Sequence, residues 1–115
     1  LPTGEVVITS GGNLPARYVI HTVGPIKGVD VEHEANQLAS CYRNSLALAV
    51  AYDLKTIAFP SISTGAFGYP RAEAAIIASR AIRDFLRGDD TLSEVRLVFF
   101  LPSDARMFLK HQSFE

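Results

Sequence analysis

The 115-residue sequence contains few of the residues that would commit it to a membrane, an oxidising compartment or a nucleic acid. Its single cysteine, Cys41, excludes an internal disulfide, and its place in a predicted helix favours a buried, inert thiol in a cytoplasmic protein. No apolar run reaches the roughly 18 residues of a membrane span. The formal net charge of -1 argues against a general nucleic-acid binder. It leaves room for one small anionic ligand, because backbone amides alone hold phosphates.

The apolar pattern predicts a single domain, residues 1–115, in which strands alternate with helices. Hydrophobic residues make up 48% of the chain and charged residues 20%, as in ordinary globular proteins. The predicted order is β-β-α-β-α-β-α, which favours an α/β fold with a largely parallel sheet. The last strand is almost continuously apolar, as expected of a strand covered on both faces. The predicted strands cover 4–9, 17–23, 56–59 and 95–101, and the predicted helices cover 34–52, 70–87 and 102–111.

The segment at 61–69, between the third strand and the second helix, has the composition of an anion-binding loop. It is longer than the roughly 2–6 residues usual for such connections. Gly65 and Gly68 allow backbone torsions closed to other residues, and the small side chains let a ligand approach the main chain. The loop ends at a helix N-terminus, which favours an anion. Phe67 and Tyr69 are predicted to be exposed and to stack on a sugar or base. An ordinary β-to-α connection is the alternative.

Two long strings make the chain resemble macro domains of the MacroD type. Residues 60–70 (PSISTGAFGYP) resemble the second ligand loop of that family, and residues 14–25 (LPARYVIHTVGP) resemble the segment before it. The resemblance implies a three-layer α/β/α fold with a mixed, mostly parallel sheet that binds ADP-ribose. It implies that loop amides hold the diphosphate, with Phe67 against the distal ribose and Phe100 near the adenine. Core packing is the alternative for Phe100. The implied ligand-binding residues are Ser63, Thr64, Gly65, Ala66, Phe67, Gly68 and Phe100.

The same resemblance indicates what the sequence does not contain. Macro domains normally begin with two strands, an Asn-Ala-Asn motif and a triple-glycine loop, and hydrolytic members add an Asp and a His on a helix. None of these has a counterpart in residues 1–115, so we expect the C-terminal portion of a macro domain without catalytic residues. One absent strand belongs near the middle of the sheet. The strands around Val19 and Ile57 should therefore face a gap or pair directly, and exposed edges should favour self-association.

The remaining polar residues do not replace the missing catalytic groups. Ser63, His21 and Asp104 suggest a nucleophile triad, but the G-x-S-x-G elbow is absent, so His21 is predicted to be a structural strand residue. Arg71 lies near the predicted anion-binding loop at 61–69. We assign it to the surface, with electrostatic help to a bound phosphate as the alternative.

No metal site or cofactor is expected. His33, between Glu32 and Glu34, is predicted to be a solvated helix entry rather than a ligand, and no Cys/His spacing fits zinc.

Three functions are open at this point. The parent protein is expected to be an ADP-ribosyl hydrolase that cleaves O-acetyl-ADP-ribose or removes ADP-ribose from acidic side chains, whereas the 115 residues alone are expected to be inactive with a weakened site. The second candidate is a reader that binds ADP-ribose without turnover. The third is a remnant with structural value only. The expected partner is ADP-ribose or an ADP-ribosylated substrate, with no membrane and no general nucleic-acid binding.

Overall fold

A computed structural model describes residues 1–114, and these form seven regular elements in the predicted order. The α/β class is therefore confirmed, and the element ends differ from the prediction by at most three residues. Among the described residues, no helix has both the length and the apolar character needed to cross a bilayer. The elements are β1 (Val6–Ser10), β2 (Tyr18–Thr22), α1 (Glu34–Ala51), β3 (Thr56–Pro60), α2 (Arg71–Arg87), β4 (Glu94–Val98) and α3 (Pro102–His111).

The four strands form two separate pairs rather than one sheet. β1 and β2 are antiparallel, with Ile8 opposite Ile20, and β3 and β4 are parallel, with Ile57 opposite Val95. Within residues 1–114, β2 and β3 are not hydrogen-bonded to each other. The expectation of a gap beside Val19 and Ile57 is confirmed. Each of these two strands keeps one edge without a strand partner in the described part of the chain.

One apolar core lies between α1 and α2 and extends to β3. On α1 the apolar residues Leu38, Tyr42, Leu46 and Ala49 are buried, and Leu38 and Leu46 are completely enclosed. Full burial of each of these leucines stabilises the fold by about 2 kcal/mol. The rings of Tyr42 and Phe59 lie 5.0 Å apart and join the core to β3. The facing side of α2 carries small side chains that let the helices approach closely, namely Ala74, Ala75, Ala78 and Ala81.

The last strand differs from its prediction in both length and burial. β4 ends at Val98 rather than at 101, and its residues alternate between half-buried and exposed. Val95 and Leu97 pack on the core. Glu94 and Arg96, on the opposite face, line an open cleft. The prediction of a strand covered on both faces is wrong, because the core covers only the face of Val95 and Leu97.

Candidate functional site

A cleft of about 900 Å³ runs between β2 and β3. Both strands line it along their whole length, and the small residues Ser45 and Ala49 of α1 contribute to its wall. At one end Gly24, which follows β2, contacts Ser63, which follows β3. The carboxyl ends of the two strands therefore meet there. Ligands of α/β proteins commonly bind beyond the carboxyl ends of strands.

The loop at 61–70 brings a row of free amides to this end of the cleft. Among the described residues, the N–H groups of residues 63–67 donate to no protein acceptor. The next two amides are used inside the loop, since Gly68 donates to the carbonyl of Gly65 (3.0 Å) and Tyr69 to that of Ser63 (2.9 Å). Unpaired N–H groups need an acceptor, and successive free amides in a turn form an anion-binding concavity. The arrangement therefore suits a phosphate.

The torsions of the loop partly match the prediction. Gly68 has a φ of 75°, so the expected role for a glycine is confirmed there. The same prediction is wrong for Gly65, which does not have a positive φ. In the loop, positive φ values occur only at Ser63 (66°) and Gly68. A Cβ on Gly65 would meet nothing within 4 Å. Gly65 thus leaves open space above the amides. The left-handed backbone at Ser63, whose buried Oγ has no partner among the described residues, carried no signal in the sequence.

The loop is supported from the core beneath it. The buried hydroxyl of Tyr42 accepts a hydrogen bond from the Ile62 amide (3.4 Å), and burial raises the pKa of Tyr42 to about 12. The hydroxyls of Ser61 and Thr64 lie 2.6 Å apart, which closes the first turn of the loop. Thr64 therefore uses its side chain within the loop and leaves its amide free.

The two aromatic residues of the loop lie in different environments. Phe67 is 39% exposed and lines the cleft, so its predicted exposure is confirmed. Tyr69 is only 3% exposed, and the prediction that it is exposed is wrong. Its ring packs in the α1–α2 core, with the Lys27 ammonium 5.0 Å from its centroid. Only Phe67 is free to stack on a ligand.

Phe100 lies outside both the core and the cleft. It is 96% exposed, so the alternative of core packing is wrong. The physical reason is that β4 ends at Val98, and the chain then turns toward α3 at Pro102. Contact of Phe100 with an adenine stays a prediction.

The segment after β2 packs against the loop at 61–70, which we call the phosphate loop. Sequence reasoning missed this contact. A Cβ on Gly24 would lie 2.3 Å from the Ser63 Oγ and 2.6 Å from the Ile62 Cγ2, so only glycine fits there without displacing the loop. The amide of Lys27 donates to the carbonyl of Phe67 (2.9 Å). The Gly24-Pro25 pair directly after the predicted strand at 17–23 is the one sequence signal that could have indicated this contact.

The entry to α1 combines a confirmed and a wrong prediction. His33 is exposed and its Nδ1 lies 3.0 Å from Asp30, as expected of a solvated helix start. Glu34 is 3% exposed instead of solvated. Its carboxylate lies 2.6 Å from the Lys27 ammonium, and this hydrogen bond lowers the pKa of Glu34 and raises that of Lys27. The sequence separates these charges by a loop, so no helical spacing indicated the pair.

The other polar residues have structural partners. His21 lies in strand β2 as predicted, and its ring hydrogen-bonds Thr9 at 2.9 Å across the β1–β2 pair. Arg71 lies 2.8 Å from Asp104, so its charge is neutralised and the surface assignment is favoured. Cys41 is buried as predicted, and burial raises the pKa of its thiol. Within residues 1–114 no group of His, Cys, Asp and Glu side chains is arranged to hold a metal ion.

Known proteins share both the sequence and the fold of this chain. The family model for the Macro domain matches residues 1–78. The chain belongs to the macro domain family. Over 109 residues it is 53% identical to the macro domain-containing protein TTE0995 of Caldanaerobacter subterraneus subsp. tengcongensis, covering 95% of this chain and 62% of that protein.

Two further macro domain relatives have functional names. The chain is 46% identical to the ADP-ribose glycohydrolase MACROD2 of Xenopus laevis over 92% of its own length and 26% of the relative's. The structure of the Trypanosoma brucei macrodomain in complex with ADP-ribose matches with a TM-score of 0.87 and 37% identity, over 95% of this chain and 45% of that chain. The chain thus spans less than two thirds of the length of these relatives.

Proposed function

We propose that this macro domain binds ADP-ribose, with the diphosphate held by the loop at 63–68. The observation that carries the proposal is the row of five free amides at residues 63–67, placed where the carboxyl ends of β2 and β3 meet. Backbone amides bind phosphate without a net positive charge, which agrees with the formal charge of -1. The complex of the Trypanosoma brucei relative with ADP-ribose supports the same ligand.

Each loop residue has a proposed part in this site. Ser63, Thr64 and Ala66 contribute amides, and the small side chain of Ala66 leaves the ligand room. Gly65 keeps the space over the amides open, and Gly68 supplies the left-handed torsion that ends the turn. Phe67 offers its ring to the distal ribose from the wall of the cleft.

A ligand series tests this function. Titration calorimetry with ADP-ribose, ADP, AMP and ribose 5-phosphate should rank ADP-ribose first and ADP second, because both carry the diphosphate that the amides would hold. AMP and ribose 5-phosphate should bind at least tenfold more weakly than ADP-ribose, a difference of about 1.4 kcal/mol. Equal affinity for all four, or no heat with any of them, would contradict the proposal.

The whole protein is proposed to hydrolyse an ADP-ribosyl bond, in O-acetyl-ADP-ribose or on a modified acidic side chain. The support is its likeness to the Xenopus laevis ADP-ribose glycohydrolase. The 115 residues alone are proposed to bind without turnover. Within residues 1–114, the candidate acid–base groups are already paired, His21 with Thr9 and Asp104 with Arg71. Release of ADP-ribose from a glutamate-modified peptide by residues 1–115 would contradict this and would also exclude the reader alternative.

A second copy of this chain is the proposed occupant of the open cleft. A strand takes about 3.3 Å of length per residue, about 4.8 Å between neighbours and about 10 Å between layers. Five residues therefore need roughly 800 Å³, close to the 900 Å³ of the cleft. The free edges of β2 and β3 both face this space and are open to strand pairing.

Sedimentation of residues 1–115 tests the self-association. We expect a mass that rises with concentration. Ala58→Lys, an exposed position on the cleft wall, should suppress the rise, because a lysine on an edge strand blocks pairing. Asn36→Lys on the exposed side of α1 adds the same charge away from the cleft and should leave the rise unchanged. A strict monomer at all concentrations would refute the proposal.

A further inference from the structure

Lys27 contacts three separate parts of the molecule around the phosphate loop. Its ammonium lies 2.6 Å from Glu34 at the start of α1 and 3.6 Å from Glu73 in the first turn of α2. It also lies over the ring of Tyr69 at the end of the loop, 5.0 Å from the centroid. The backbone amide of the same residue donates to the carbonyl of Phe67 (2.9 Å). One residue thus joins both helices to the loop.

Glu34 fixes where this lysine lies. It is buried, with 3% of its surface exposed, and both of its oxygens are used. Oε1 accepts from the Lys27 ammonium (2.6 Å) and Oε2 accepts from the Gly28 amide (2.9 Å). A buried carboxylate that loses its cation is costly, so Lys27 cannot leave without a large penalty. The pair and the Gly28 hydrogen bond therefore attach the segment from Lys27 to Gly28 to the start of α1.

The same contact restrains the phosphate loop from its outer side. The Tyr69 ring is enclosed between the core and the ammonium of Lys27. The Tyr69 amide closes the loop on the Ser63 carbonyl, and the Phe67 carbonyl is held by Lys27. These contacts hold the far end of the loop and oppose a rearrangement that would pair the amides at 63–67 with the loop's own carbonyls.

We propose that Lys27, held by Glu34, is a positioning residue that keeps the phosphate loop in its anion-binding conformation. The inference rests on the proposed function for its ligand. The Lys27 ammonium already lies against Glu34, Glu73 and the Tyr69 ring, so the proposed role is support of the loop and not contact with the phosphate. A lysine beside a phosphate site would ordinarily be taken as a direct phosphate contact, and the two roles predict different results.

The first measurement is hydrogen exchange of the Gly68 and Tyr69 amides in residues 1–115 without ligand. Lys27→Met should speed the exchange of both amides roughly tenfold, because the loop loses its outer support. Lys27→Arg keeps a cation within reach of Glu34 and should leave exchange within about threefold of the original. Lys55→Met is the matched control, because Lys55 is exposed and, within residues 1–114, pairs with the exposed Asp53. This variant should leave the exchange rates of both amides unchanged.

The second measurement is the affinity of the same variants for ADP-ribose. Lys27→Met should weaken binding at least tenfold, in parallel with the faster exchange, and Lys27→Arg should restore both. If Lys27→Met weakens binding while exchange is unchanged, Lys27 contacts the ligand directly and the proposal is overturned. Unchanged exchange and unchanged affinity also overturn it.

Failure of the proposed function and misfolding of a variant can both be distinguished from failure of the Lys27 proposal. If ADP-ribose does not bind to the original chain, the proposed function fails, but the exchange rates still decide whether Lys27 holds the loop. If Lys27→Met does not fold, Glu34→Gln replaces it, since this variant weakens the same contact and leaves no buried charge unpaired. It should raise the exchange of Gly68 and Tyr69, and unchanged exchange in a folded Glu34→Gln protein overturns the proposal.

Discussion

The two sides of this macro domain differ in how their free backbone groups are supported. On one side, the amides at 63–67 belong to a loop fixed by Tyr42, Tyr69 and the Lys27–Glu34 pair. On the other, the free edges of β2 and β3 border an open cleft. Rigid free donors favour a specific small anion, because no reorganisation is needed when the ligand arrives. Open strand edges favour another strand, because they offer a long row of alternating donors and acceptors.

The largest loss of ADP-ribose affinity is expected when the contact between Gly24, which follows β2, and the loop at 61–70 is disrupted. In Gly24→Val the new Cβ would meet Ser63 and Ile62 at 2.3 Å and 2.6 Å, so the loop must move. We expect ADP-ribose affinity to fall roughly 100-fold, about 2.7 kcal/mol. Gly88→Ala is the control, because its Cβ would make only an ordinary contact at 3.8 Å and should leave affinity unchanged. An unaltered affinity in folded Gly24→Val would mean that the two segments are not coupled.

A smaller effect is expected when only the space above the amides is filled. In Gly65→Val the added side chain meets no protein atom within 4 Å of its Cβ, so thermal stability should be nearly unchanged. The branched side chain would instead occupy the path of the ligand to the amides. ADP-ribose affinity should therefore fall at least tenfold, about 1.4 kcal/mol. A loss of stability without a loss of affinity would show that Gly65 serves the fold and not the site.

Removal of the exposed Phe67 ring from the cleft wall should have a still smaller effect on ADP-ribose affinity. Phe67→Ala should weaken ADP-ribose binding several-fold, in keeping with about 1 kcal/mol for a stacked aromatic. Phe67→Tyr should retain most of the affinity, because the proposed contact uses the ring face and not the edge. Calorimetry of the three proteins side by side is the measurement. If all three bind equally, Phe67 only packs locally and the ribose lies elsewhere.

The sequence predicted the elements and the gap between β2 and β3 better than it predicted the contacts that support the loop. The predicted ranges 34–52 and 70–87 follow from the local spacing of apolar residues, so both long helices could be predicted. The burial of Tyr69 and Glu34 could not, because it depends on how segments far apart in the chain meet. The exposed face of β4 was mispredicted for the same reason. An apolar run indicates a strand, but what covers each face is decided by other parts of the chain.

The Lys27–Glu34 pair should also be visible as a pH dependence of stability, the smallest of these effects. The pKa of Glu34 is lowered in the folded chain, first by the hydrogen bond from Lys27 and then by that from Gly28. The pair therefore stabilises the fold above the ordinary pKa of a glutamate, roughly 4.3, and this contribution is lost as the pH falls through the lowered value.

Thermal unfolding from pH 8 down to pH 3 tests this against Glu34→Gln, which cannot titrate. The stability difference between the two proteins should be constant near neutral pH and should shrink below about pH 4. The other charges at this position, namely Lys27 and Asp30 near Glu34 and Glu73 near Lys27, are common to both proteins, so their titration largely cancels in the difference. If the stability difference does not change with pH, the charge of the Glu34 carboxylate does not contribute to the stability of the folded chain. The support of the loop would then come from the packing of Tyr69 and the backbone bond to Phe67.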